Sequence, residues 1–223
     1  MKHIFLAILI ISIGLISCKD YQARRTESFK KIEIVKKNVI LFRLHSSENK
    51  IKYLEKKKDK VAVKKELNKV KAINDEIYLA FKNHFDFCDV YFFYPSEASN
   101  LKSGNYDEVA LMDEDAKVVM DKEFLKNGYL VSTFGFAYGD EIIHETNSDR
   151  SRLGGTGGYP ALVVMDQDYI QLGNPFPYRV LLNKTPDKRK DAIRNLNTSL
   201  RDYYYKYESK KAKMNYKKQR AKF

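Results

Sequence analysis

Two thiols and four imidazoles are the side chains in this chain best suited to nucleophilic or metal chemistry: Cys18, Cys88, His3, His45, His84 and His144. A catalytic thiol needs a base and an electropositive setting to exist as thiolate. Cys88 lies in Phe85-Asp86-Phe87-Cys88-Asp89-Val90, with acids on both sides at the entry to an apolar run. That setting predicts a buried, inert cysteine. The histidines are isolated, with no His-x-x-x-His and no Cys/His cluster, so no zinc site is expected. His84 falls on an apolar helical stripe and reads as a core residue. Gly154-Gly155-Thr156-Gly157-Gly158 has the glycine content of a phosphate loop. It lacks the Lys-Ser/Thr ending and the following helix whose amides would receive the anion, and reads as a connection. Asp107-Glu108, Asp113-Glu114-Asp115 and Asp140-Glu141 offer oxygens of the type calcium prefers, without EF-hand spacing. No Gly-x-Ser-x-Gly elbow is present. No constellation discloses a reaction: no catalytic residue, metal site or cofactor is assigned.

The N-terminus carries a different kind of chemistry. Lys2 is followed by an apolar stretch from Ile4 to Ile16, broken only by Ser12 and Gly14. It is too short for an ordinary span and the right size for a signal-peptide core. Leu15-Ile16-Ser17-Cys18 then resembles the lipobox of bacterial lipoproteins, with Ser17 where Gly or Ala is commoner. The resemblance implies that residues 1–17 are removed and that Cys18 is acylated on sulfur and on its new amino group. One fatty chain holds a protein only marginally, whereas the several chains of such a lipoprotein anchor it firmly. Lys19-Asp20 resembles the charged start used by some Bacteroidetes lipoproteins, which implies sorting to the outer membrane or the cell surface without fixing the leaflet. With Cys18 acylated, Cys88 has no thiol partner and no internal disulfide forms.

The formal charge of +12 conceals a partition. Residues 19–71 carry 18 basic and 7 acidic side chains, residues 72–187 carry 9 and 19, and residues 188–223 carry 13 and 3. The basic ends fold against the acidic centre, or face an anionic membrane surface, or meet an envelope protein. Nucleic acid is excluded as a partner, because no stacking or groove-reading motif accompanies the charge.

The elements that would position these groups follow from periodicity. Residues 18–37 read as a basic tether, with helix possible from Glu27. Asn38–His45 reads as a buried strand, and Ser46-Ser47-Glu48 supplies capping oxygens for a helical hairpin or one long bent helix. Val63, Leu67, Val70, Ile73, Ile77, Phe81 and His84 predict one apolar stripe on a helix over 60–85. Val90–Tyr94 reads as the second strand of a right-handed parallel β-α-β unit. Further strands are expected at Val109–Met112 and Tyr129–Ala137, a polar loop at 139–158, and a hairpin of Ala161–Met165 with Tyr169–Leu172. Tyr178–Leu182 would add an edge strand. Thr185, Pro186 and Asp187 open a last helix that carries Ile193, Leu196 and Leu200 inward. Residues 209–223 read as a frayed basic tail.

Two further resemblances bear on the fold. Gly158-Tyr159-Pro160 through Asp166 resembles the segment of thioredoxin-like proteins in which a cis-proline opens a strand. Without Cys-x-x-Cys it implies a degenerate member with no redox activity. Ala80-Phe81 and Asn83–Phe93, with Arg43-Leu44, Val163–Asp166, Gln171-Leu172 and Pro175–Tyr178, resemble an uncharacterised Bacteroidetes envelope-protein family over residues 38–182. The expected fold is a single α/β domain over 38–208. It has a mixed sheet of about five strands, a long helical crossover and a C-terminal helix, and the resemblance of Gly158–Asp166 implies a thioredoxin-like arrangement. The expected function is that of a non-catalytic binding module on a lipid-anchored envelope lipoprotein. The alternative is a degenerate thioredoxin-like or metal-assisted envelope enzyme that uses the 139–158 loop as a lid.

Overall fold

The computed structural model describes residues 21–138 and 158–220, with side chains described through Lys213. The leader, Cys18 and the 139–157 segment lie outside the described residues. The elements are helix α1 (residues 21–37), β1 (Val39–Arg43), α2 (Glu48–Lys56), α3 (Lys60–His84), β2 (Asp89–Phe93), α4 (Ala98–Ser103), β3 (Tyr129–Ala137), β4 (Tyr159–Met165), β5 (Arg179–Leu181) and α5 (Lys188–Arg220). Short 3-10 turns occupy Pro95–Glu97, Tyr106–Glu108 and Glu123–Asn127.

Five strands form one mixed sheet in the order β2-β1-β3-β4-β5. β1 lies parallel to both β2 and β3, pairing Val39 with Asp89 and with Tyr129. β4 and β5 return antiparallel, with Phe134 opposite Leu162 and Leu162 opposite Val180. The parallel strands are apolar at nearly every position, as strands covered on both faces must be. Ile40, Phe42, Phe92 and Leu130 face α1, α3 and α5, where Ile32, Phe81 and Leu196 close the main core. Val39, Leu41, Phe93 and Val131 face the opposite layer, which is built from 95–127 around Leu101, Leu111 and Leu125. That second layer uses short turns in place of long helices.

α1, α3 and α5 run in the same direction along the sheet. Phe29 meets Tyr203 and Tyr207, and Glu33 meets Tyr207 and Lys211, so α1 and α5 ascend together. Arg189 pairs with Glu76, and Arg201 with Asp86 beyond the end of α3, so α3 ascends with them. Because α1 and α3 each feed directly into the start of a parallel strand, all three helix N-termini lie toward the strands' carboxyl ends.

Several expectations are corrected. The tether of 18–37 is helical from residue 21, and Ile32 and Val35 are fully buried. Its inward positions Ser28, Ile32 and Val35 are sparse but correctly spaced for one helical face. The tail is helical to Arg220, and Lys211 reaches Glu33. Val109–Met112 is not a strand; only Met112 bridges, exchanging two backbone bonds with Phe92 and covering the outer edge of β2. Tyr169–Leu172 likewise contributes one bridge, from Gln171 to Met165. On α3, Leu67 remains 49% exposed while Glu66 and Asn74 are buried. The N-terminal half of α3 overhangs the sheet and packs on α2, so the apolar stripe has no core to enter there. The cis peptide precedes Pro175, whereas Pro160 sits inside β4 opposite Phe136. Asp187, rather than Thr185, accepts the first bond of α5 from the Asp191 amide.

Candidate functional site

The carboxyl ends of parallel strands are the usual place for a ligand crevice in α/β sheets. Here Asn74 builds it. Its buried side chain accepts the His45 amide at 3.0 Å and donates to the His45 carbonyl at 3.1 Å, tying α3 to the chain leaving β1. Between them opens a cavity of about 370 Å³. Phe42, Leu44, Ile73, Ile77 and Phe134 supply an apolar lining, and His45, Ser46, Thr133, Arg43 and Arg189 bring polar groups. The size falls within the range of small-molecule pockets.

Its electrostatics favour an electron-rich ligand. Burial pulls His45 below the ordinary imidazole range, and the nearby charges of Arg189 and Lys69 push the same way, outweighing Glu66. His45 is therefore neutral at neutral pH. Burial also lowers Arg43, against the opposing influence of Tyr169, but a guanidinium stays charged at neutral pH. Arg189 is held by Glu76 at 2.7 Å. Among the described residues no nucleophile at this cavity is activated. Ser47 Oγ lies 3.4 Å from His45 Nε2 but also hydrogen-bonds to the Glu66 carboxylate, which has no proton to give and so takes the hydroxyl's. Thr133 Oγ1 donates to the Arg43 carbonyl.

Cys88 lines a separate cavity of about 570 Å³ with Phe81, Phe85 and Asp89. Burial, then Asp89, pushes its thiol up to about 12. Thiolate is absent at physiological pH; the residue as a whole is half-buried, and of its flanking acids Asp89 contributes while Asp86 is bonded to Arg201 and Asn197. Asp113, Glu114 and Asp115 border this cavity, and oxygens of the two aspartates are engaged. Asp115 pairs with Lys82 at 2.5 Å, and Asp113 accepts the amides of Asp115 and Lys117. Among the described residues no group of three or more His, Cys, Asp or Glu is placed to hold a metal ion. His84 is half-buried near the end of α3. Asp140, Glu141, His144 and Ser151, the candidates of the enzyme alternative, lie outside the described residues, as does the glycine run up to Gly157.

Sequence reasoning missed Asn74, His45, Thr133 and Arg189 as neighbours. The one available signal was a polar Asn74 among the apolar positions of α3. Comparison with known proteins finds no matching family model, no similar curated protein and no similar solved structure.

Proposed function

We propose that the chain is a bacterial envelope lipoprotein, lipid-anchored through Cys18 to the outer membrane, whose α/β domain is a non-catalytic binding module. The cavity beside Asn74 is its ligand site. The observation that carries this reading is a preformed cavity of mixed lining, with an apolar wall facing cations and a neutral imidazole and no activated nucleophile among its described residues. Such a lining suits a small ligand with an apolar body and an acceptor-rich or anionic head. The anchor itself rests on the lipobox-like Leu15–Cys18. Because Cys18 precedes the first described residue of α1 by three positions, the anchor would lead directly into an element of the core.

Mass spectrometry of the protein extracted from envelopes tests both parts. The expected result is a Cys18 N-terminal peptide carrying acyl chains, with a small molecule retained in the native protein and depleted in Arg189→Ala. A bare Cys18 thiol behind an intact leader would overturn the anchor. An empty native protein that also takes up no amphiphile would overturn the binding module.

A further inference from the structure

Residues 48–72, which form α2 and the overhanging half of α3, carry ten lysines against four acids. All ten lysines are exposed. The acids, Glu48 and Glu55 exposed among them, offset fewer than half of these charges. Glu66 is buried against Lys50 at 2.5 Å, and Asp59 turns a carboxylate oxygen to the Ala62 amide as the helix cap. Lys56, Lys57 and Lys58 stand consecutively at the turn, and Lys60 follows. Two amphipathic or apolar side chains share this tip. Tyr53 is 55% exposed beneath the Lys57 ammonium, and Val61 is 81% exposed. Elsewhere the basic ends are partly spent inside the molecule, through Arg189–Glu76 and Arg201–Asp86. The hairpin reaches the acidic centre through Lys71, which meets Asp75 one turn further along α3 at 2.6 Å, away from the tip.

Its position matters as much as its charge. α1 and α3 run the same way and finish together, since Lys36 Nζ donates to the Phe87 carbonyl at 2.5 Å. α3 has 25 residues and α1 spans 21–37, so α3 overhangs the start of α1 by about 12 Å at 1.5 Å per residue. The three-residue step back from Tyr21 to Cys18 spans at most about 11 Å. The hairpin tip and the start of α1, which Cys18 precedes by three positions in sequence, therefore lie on the same side of the domain.

We propose that the α2–α3 tip is a docking surface for the anionic headgroups of the bilayer that holds the anchor. Lysines attract the headgroups, while Tyr53 and Val61 enter the interfacial layer. A second attachment point converts a swivelling anchor into a fixed pose by raising the local concentration of the tip at the surface. The orientation rests on the proposed Cys18 anchor; the affinity for anionic lipid does not.

The chain has no tryptophan, so Val61→Trp is a lone fluorescent reporter. The full chain is reconstituted from detergent into phosphatidylcholine vesicles with and without phosphatidylglycerol, both containing a nitroxide-headgroup lipid. Quenching is expected in the anionic vesicles and not in the neutral ones. Binding should weaken by about tenfold or more when Lys56, Lys57, Lys58 and Lys60 are changed to Gln. High salt on the otherwise unaltered reporter chain should have the same effect, because the Debye length falls to about 3 Å at 1 M. An unquenched reporter on anionic vesicles overturns the proposal, as does equal quenching on neutral ones or quenching indifferent to salt. Mass analysis of Cys18 on the same sample reads acylation separately, so loss of anchoring and loss of docking are distinguishable.

Discussion

Cys88 illustrates how local charge and burial decide whether a reactive group reacts. Its thiol sits between Phe87 and Asp89, and burial with the neighbouring carboxylate raises it to about 12. A folded-state value above the unfolded one means the native state holds its proton longer. Stability from this group is therefore full below the ordinary thiol range and is lost as pH rises through it toward 12. At pH 7.5, maleimide should leave the Cys88 peptide unlabelled in the native chain and label it once the chain is unfolded in urea; peptide mapping distinguishes it from Cys18. Rapid native labelling at Cys88 would contradict the burial described above. The inertness of Cys88 was legible in the sequence, because Asp89 is its neighbour along the chain and Phe87 and Val90 mark an apolar setting. The contact of Asn74 with His45 was not, since those residues are 29 positions apart and meet only after α3 folds back on β1.

Between elements, the seam of α1 with α5 is held by rings and one carboxylate. Glu33 accepts hydrogen bonds from Lys37 on its own helix and from Tyr207 and Lys211 on α5. The first of these leads in lowering its pKa from 4.5 to about 2. A depressed carboxylate stabilises the fold above its unfolded value, and that contribution is lost as pH falls from about 4.5 to about 2. Thermal melts of the parent chain and Glu33→Gln should differ at pH 6 and converge as the solution approaches pH 2; curves with a constant offset would remove Glu33 as the cause. The long elements of the sheet layer were legible because their apolar spacing is dense: β1, α3, β2, β3 and the start of α5 fall within a few residues of expectation. α1 was read as a tether because its inward positions are few, and Lys30, Lys31, Lys36 and Lys37 dominate its composition. The partners that make those few positions sufficient, such as Tyr203 and Tyr207, lie on the last helix. The short turns between 95 and 127 have no period to detect.

For the whole molecule, the burial of Ile32 and Val35 makes α1 part of the folding unit. Ile32→Ala deletes methyl groups from a fully closed site and should cost about 2–5 kcal/mol in urea unfolding, with the loss shared by the entire transition; a negligible change would return α1 to the status of a linker. The shared direction of α1, α3 and α5 also has a mechanical consequence. Tension applied at the start of α1, as the proposed Cys18 anchor would apply it, would load α1 along its own axis, sliding Phe29, Ile32, Glu33 and Val35 past their neighbours together. Shear across many contacts at once resists extraction far better than peeling them singly, so a pull on the start of α1 meets the whole seam together.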